Sequence, residues 1–240
     1  MLCPKCQRDR VIGDKECPHC GIIFEKYVQA KQYGKKPRAR PKSESLTDYV
    51  REVCLKVPTP AGKHTLLGQA ILLTVITVYT WRFMFSPIVN NAAAESFLHL
   101  INLPFHEFGH ILFRPFGQFI SSLGGSLGQL MMPAICFYVF LFRRENTFGA
   151  AVALWWFGEN FVDMAPYIYD ARILEMPLLG GNTGNTAPYG FHDWEYLLTE
   201  TGLLQYDQAL ARLSFIVGIA LMVCAIFWGL VLLKKQYRLL

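Results

Sequence analysis

The stretch Phe97-Leu98-His99-Leu100-Ile101-Asn102-Leu103-Pro104-Phe105-His106-Glu107-Phe108-Gly109-His110-Ile111-Leu112-Phe113 sets two imidazoles and a carboxylate in adjacent turns of an otherwise apolar run. On a helix, positions i and i+4 share a face about one turn apart. His106 and His110 can therefore grip one Zn²⁺ while Glu107, beside them, addresses a water held by the metal. Two imidazoles and a carboxylate in hydrocarbon cost several kcal/mol unless something recovers it, and a metal does so. The plainer reading is a pair of core histidines satisfied by neighbouring side chains.

Composition points to a membrane. Of the 240 residues, 52% are hydrophobic and only 17% charged, and the mean hydropathy is +0.26, unlike a soluble domain. Leu66–Phe85, Phe119–Phe142 and Leu213–Leu233 have close to the apolar length a bilayer core demands. A fourth stretch, Phe148–Ile168, is interrupted by Glu159, Asn160 and Asp163, and the histidine-bearing stretch is a fifth. The expected fold is a mainly α, polytopic membrane protein with about four or five membrane segments.

The first 63 residues differ, being rich in Cys, Lys, Arg and Pro, with no apolar run long enough for a signal peptide. Cys3-Pro4-Lys5-Cys6 and Cys17-Pro18-His19-Cys20 are two knuckles in a segment with almost no apolar core. Four thiolates around a structural Zn²⁺ would hold it together and leave no open coordination position. His19 reads as a bystander, and Cys54, Cys136 and Cys224 as packing residues. From Lys31 to Lys42 there are six cations and no acid, which sets this side as cytosolic. The net charge of +5 accordingly reports topology and anionic lipid headgroups more than nucleic acid. The divisions expected are a ribbon over 1–28, a basic linker over 29–63 and a multi-pass domain over 64–240.

Three cationic clusters, Lys31–Lys42, Arg143-Arg144 and Lys234-Lys235 with Arg238, all ask to be cytosolic, and five full crossings cannot satisfy them. With Asn102 as cap, Pro104 in the first turn and Pro115 discouraging continuation past Arg114, the histidine helix has about twelve residues, or roughly 18 Å. Against a hydrocarbon core of about 30 Å such a helix would dip in and return. The rival is a kinked full span from Ala92 to Phe113.

A catalytic zinc ordinarily takes three protein ligands and keeps a fourth position for water. Asp163 is the first candidate, because ionisable groups inside an apolar helix tend to mark sites. Glu159 and Asn160 can share its face and orient the ligand or a substrate carbonyl, and His99 is a further supporting residue on the histidine helix. His192, with Asp193 beside it, is the alternative third ligand, adjoining Trp194, Glu195 and Tyr196, which read as an interfacial anchor.

These residues resemble the site-2 protease-like group of intramembrane zinc metallopeptidases. His106-Glu107-Phe108-Gly109-His110 fits that group's HExxH, with Gly109 and Ile111 in typical company. Leu123-Gly124-Gly125-Ser126-Leu127-Gly128-Gln129 before an apolar span is similar to the glycine-rich stretch following the zinc helix in one bacterial branch. In the group a later membrane helix supplies an aspartate from an Asn-Pro-Asp-Gly or Leu-Asp-Gly motif. The analogue here, Asn160 to Asp163, lacks the following glycine. The resemblance covers Phe97 to Tyr169 and implies a bacterial inner-membrane protein in which a zinc ribbon is fused to a metallopeptidase-like core.

The expected function is hydrolysis of a membrane or membrane-proximal protein, with Glu107 as general base. Gly124, Gly125 and Gly128 either allow an edge for an extended substrate or permit close helix packing, and the loop Met176–Tyr189 is a candidate lid. That loop lacks the Gly-Lys-Ser/Thr of a phosphate-binding loop, so no nucleotide is expected, and nucleic acid is a weak candidate. Substrate selection would fall to the ribbon, the loop or another protein. The alternative from another class is a non-catalytic membrane scaffold whose ribbon recruits a cytosolic protein partner.

Overall fold

A computed structural model gives the fold for residues 2–9, 15–27, 45–57, 62–90 and 92–239. The basic run Lys31–Lys42 lies outside these residues. The chain divides into two compact units, Met1–Tyr49 and Val50–Leu240.

In the first unit the two knuckles close in the same way. The Cys3 amide donates to the Arg8 carbonyl at 2.8 Å and the Gln7 amide to the Cys3 carbonyl at 2.9 Å. In the second knuckle the Cys17 amide donates to the Ile22 carbonyl at 2.9 Å and the Gly21 amide to the Cys17 carbonyl at 2.8 Å. Isolated bridges pair Leu2 with Asp9 and Glu16 with Ile23, again at matching places. Gln7 and Gly21 take φ of 61° and 65°. Glycine enters that left-handed region at no steric cost, and a glutamine there is held by the turn around it.

The second unit is helical: α1 (Leu46–Cys54, straddling the boundary), α2 (Lys63–Met84), α3 (Phe97–Phe113), α4 (Gln118–Tyr138), α5 (Thr147–Tyr169), α6 (Asp193–Glu200) and α7 (Asp207–Tyr237). A π-helical turn, Val139–Arg143, extends α4. Among the described residues, three helices are long and apolar enough to cross a bilayer, Lys63–Met84, Gln118–Arg143 and Leu204–Tyr237, where the sequence led us to expect four or five. Among the described residues there is no extended strand. The fourth apolar stretch does form a helix, α5, of 23 residues. Its Glu159, Asn160 and Asp163 point inward, with Glu159 and Asn160 fully buried.

Helix α3 corrects the reading of its start. It runs 17 residues, about 25 Å at 1.5 Å per residue, and passes through Pro104 unbroken. The cap is Ser96, whose side chain accepts from the His99 amide, and not Asn102, which lies buried within the helix. Membrane helices tolerate an internal proline when neighbours re-satisfy the freed backbone. The expected end near Arg114 is observed, where Arg114–Phe116 turns as a 3₁₀ helix about Pro115. A helix of this length falls at the short end of the spanning range, so the twelve-residue basis for a dip-and-return segment is gone.

The core joins α2, α5 and α7 through Leu73, Ile76, Phe83, Trp155, Val162, Met222 and Leu232. Helices α5 and α7 meet where neither has a side chain: a Cβ on Gly158 would fall 2.8 Å from the Gly218 carbonyl oxygen, and one on Gly218 would fall 2.6 Å from that of Gly158. Small residues at the crossing let backbones approach and gain dispersion that lipid cannot match. Ser214 Oγ then donates to the Phe161 carbonyl at 2.7 Å. Of the three isolated cysteines, Cys224 is exposed and so is not a packing residue.

Candidate metal sites

Among the described residues, two groups of side chains can each hold a metal ion: Cys3, Cys6, Cys17 and Cys20 in the first unit, and His106, Glu107 and His110 in the second. In the first, Cys3 Sγ lies 3.8 Å from Cys20 Sγ and Cys6 Sγ lies 3.7 Å from Cys17 Sγ. A disulfide needs about 2.05 Å. Zinc–thiolate bonds of about 2.3 Å arranged tetrahedrally give sulfur–sulfur edges of about 3.8 Å, which these thiols meet. The Cys6 backbone amide holds the Cys3 thiol down to about 6, while burial pushes the Cys20 thiol up to about 12. Neighbouring thiols cannot all ionise without a cation between them. His19 is exposed and outside the group.

The second group rests on a glycine crossing between α3 and α4. A Cβ on Gly109 would overlap the Gly124 carbonyl, and one on Gly128 would overlap the Phe105 carbonyl. Gly124 and Gly128 therefore serve close packing inside a helix and present no edge for a substrate. Gly125 has another use. A Cβ there would stand 2.5 Å from His106 Nε2 and 2.6 Å from His110 Nε2. Both ring nitrogens thus border a space left open because residue 125 has no side chain.

The other ring nitrogens fix the tautomers. His110 Nδ1 donates to the Ser121 carbonyl at 2.8 Å, and that oxygen can only accept. His106 Nδ1 donates to Gln129 Oε1 at 2.8 Å, the amide being oriented by Gln129 Nε2, which donates to the Asn160 carbonyl at 3.5 Å. With the protons on Nδ1, neutral imidazoles present lone pairs at Nε2. These face an aspartate of the alternative pair, Asp193, and not the first candidate, Asp163. Asp193 Oδ2 lies 3.2 Å from His106 Nε2 and 3.3 Å from His110 Nε2. Three acceptors converging on one space can share a cation there.

Asp163 is held elsewhere. His99 Nδ1 donates to Asp163 Oδ1 at 2.9 Å, and Asn102 Nδ2 donates to Asp163 Oδ2 at 3.0 Å and to Glu159 Oε2 at 2.9 Å. Trp156 Nε1 completes the network by donating to Asn102 Oδ1 at 2.8 Å. Asn160 is spent on its own helix, donating to the Trp156 carbonyl at 2.9 Å. So Glu159, Asn160 and Asp163 share an interior, as their spacing suggested, but the interior joins α5 to α3 away from the ring nitrogens.

His192 is not placed to be a ligand either. It caps α6, its Nδ1 accepting from the Glu195 amide at 3.1 Å, while Nε2 faces Asp170 Oδ2 at 3.4 Å. Asp170 in turn accepts from the Glu175 and Met176 amides at 3.1 and 3.0 Å. The cap places the next residue, Asp193, in the first turn of α6. Sequence reasoning missed Gln129 and Tyr167, and held Asp193 only in second place, beside His192. The legible signal for Asp193 was the His192-Asp193 pair itself, two metal-ligating residue types following the glycine-rich loop.

His99, His106, Glu107, His110, Gln129, Asp163, Tyr167 and Asp193 all line one cavity of about 900 Å³. Met176 to Leu179 of the candidate lid also line it. Its volume falls in the range of ligand pockets. No family model matches the chain, and no curated protein or solved structure does.

Proposed function

We propose that the chain is a membrane-embedded zinc metallopeptidase in which His106, His110 and Asp193 hold the catalytic ion and Glu107 is the general base. A second, structural zinc sits on Cys3, Cys6, Cys17 and Cys20. The observation that carries this reading is the convergence of Asp193 Oδ2, at 3.2 and 3.3 Å, on two Nε2 atoms whose rings are already donating from Nδ1. Two nitrogens and one carboxylate oxygen form the donor set of a catalytic zinc, with a position left for water.

Zinc bound there would supply an acidified water and polarise a carbonyl. Glu107, with a carboxylate oxygen within 4.8 Å of a ring nitrogen of each histidine, would take a proton from the attacking water and return it to the leaving amine. Gln129 and the Ser121 carbonyl hold the imidazole tautomers through the cycle. An extended segment would have to enter the cavity for hydrolysis, since a helical substrate hides its carbonyls in hydrogen bonds. The substrate class is a membrane or membrane-proximal protein.

The test is Glu107→Gln in the full chain. It should keep both metals by elemental analysis yet remove every cleavage product that depends on the wild type, cutting turnover about 10²- to 10⁴-fold. Unchanged products and unchanged cellular function with Glu107→Gln would leave the scaffold reading in its place.

A further inference from the structure

Tyr167 reaches Asp193 Oδ2, one of the three convergent atoms, at 3.4 Å, and the proposed chemistry has so far given it no task. It lies near the end of α5 and lines the same cavity as Glu107. Its ring is clasped between the two histidines' neighbourhoods, 4.3 Å from the His192 ring and 6.2 Å from that of His106. The hydroxyl oxygen accepts the Asp193 backbone amide at 2.9 Å. Its proton has a poorer partner, since the same hydroxyl reaches Asp193 Oδ2 only at 3.4 Å, beyond the 2.5–3.0 Å of a good O–H···O bond.

The oxygen is thus pinned by a donor while the proton is left almost unused, facing the atom where the imidazole nitrogens meet. A tyrosine hydroxyl, with an ordinary value near 10, keeps that proton at neutral pH. We infer that Tyr167 is a catalytic residue that donates a hydrogen bond to the oxygen gaining negative charge when the scissile carbonyl is attacked. No proton is transferred from it. Water oxygen bonds to the carbonyl carbon, the π pair moves onto the carbonyl oxygen, Glu107 takes the water's proton, and the Tyr167 hydroxyl turns from its long contact with Asp193 to that oxygen. A donor at developing charge strengthens in the transition state, and here the only movement it needs is rotation of the hydroxyl about a ring and oxygen already held in place. The inference rests on the metallopeptidase reading.

The experiment uses the full chain in detergent, loaded with Co²⁺, and acetohydroxamate as an anionic, oxygen-donating probe read by visible absorption. Failure of the wild type to bind Co²⁺ in a His106-dependent way would remove the metallopeptidase reading itself, and this inference with it. Given binding, Tyr167→Phe should keep Co²⁺ affinity within about threefold while weakening acetohydroxamate about tenfold, the size of one hydrogen bond to a charged group. Unchanged acetohydroxamate affinity overturns the inference, as does parallel loss of Co²⁺, which would make Tyr167 only a prop for Asp193. Should Tyr167→Phe fail to accumulate, 3-fluorotyrosine at 167 keeps ring and hydroxyl. Its more acidic proton should tighten the probe, and an unchanged affinity counts against the proposal.

Discussion

The cysteine group and the histidine group differ most in how far along the chain their members lie. Cys3 to Cys20 are neighbours, each knuckle closed by its own backbone hydrogen bonds. His106 and Asp193 are 87 residues apart and meet only because α3, α4 and α6 are packed in one arrangement. A local site is written in its spacing, whereas a distributed site is written in the tertiary fold. The first should fold with its metal and the second should pre-exist it.

That contrast has its largest consequence under metal removal. Chelation, or Cys3→Ser, should unfold the first unit outright, because little but the thiols holds it. Helices α2 to α7 should keep their circular dichroism when metal leaves the histidine group. We expect about two metals per chain by elemental analysis, one lost with Cys3→Ser and the other with His106→Ala. If stripping the histidine group also melted the helices, the distinction between a metal-made and a fold-made site would fall.

The next largest effect separates the two aspartates. Asp193→Ala should abolish metal retention by the histidine group, lowering affinity by at least about 10²-fold, as loss of a direct ligand exceeds the 10- to 100-fold cost of losing a ligand's supporting partner. Asp163→Ala should retain the metal. It leaves His99 and Asn102 without an acceptor, so it should lower stability by about 1–3 kcal/mol, measurable as a shift in thermal unfolding. The reverse pattern would restore Asp163 as the ligand and sink the proposed site.

These aspartates also show what was legible. The rule that an ionisable group inside an apolar helix marks a site led to Asp163, and Asp163 does line the cavity with the histidines. What the rule could not say is which of several polar partners on α3 it would meet. Asn102, hidden by its reading as a helix cap, claimed both Asp163 and Glu159. Asp193 ranked only beside His192 as the alternative because it opens a short helix of mixed polarity, where an acid in the first turn is ordinary. The helix-pair HEFGH and the Cys knuckles were readable because each lies within one or two turns. The 17-residue length of α3 was not, since Pro104 is a helix breaker in water and is tolerated among packed helices.

The smallest effect falls on Gln129, which touches a proposed ligand without being one. Its Oε1 accepts from His106 Nδ1 at 2.8 Å and so keeps the Nε2 lone pair turned toward Asp193 and the space beside Gly125. Gln129→Leu removes the acceptor, frees the ring to rotate or adopt the other tautomer, and should weaken zinc about 10- to 100-fold. Gln129→Glu keeps an acceptor and adds charge that makes the imidazole a better donor, so its zinc affinity should stay within about threefold of wild type or exceed it. Competition with a chelator of known affinity measures both. Equal weakening by Leu and Glu would mean that Gln129 acts through its bond to the Asn160 carbonyl, as a strut between α4 and α5, and the histidine tautomer would then be set by packing alone.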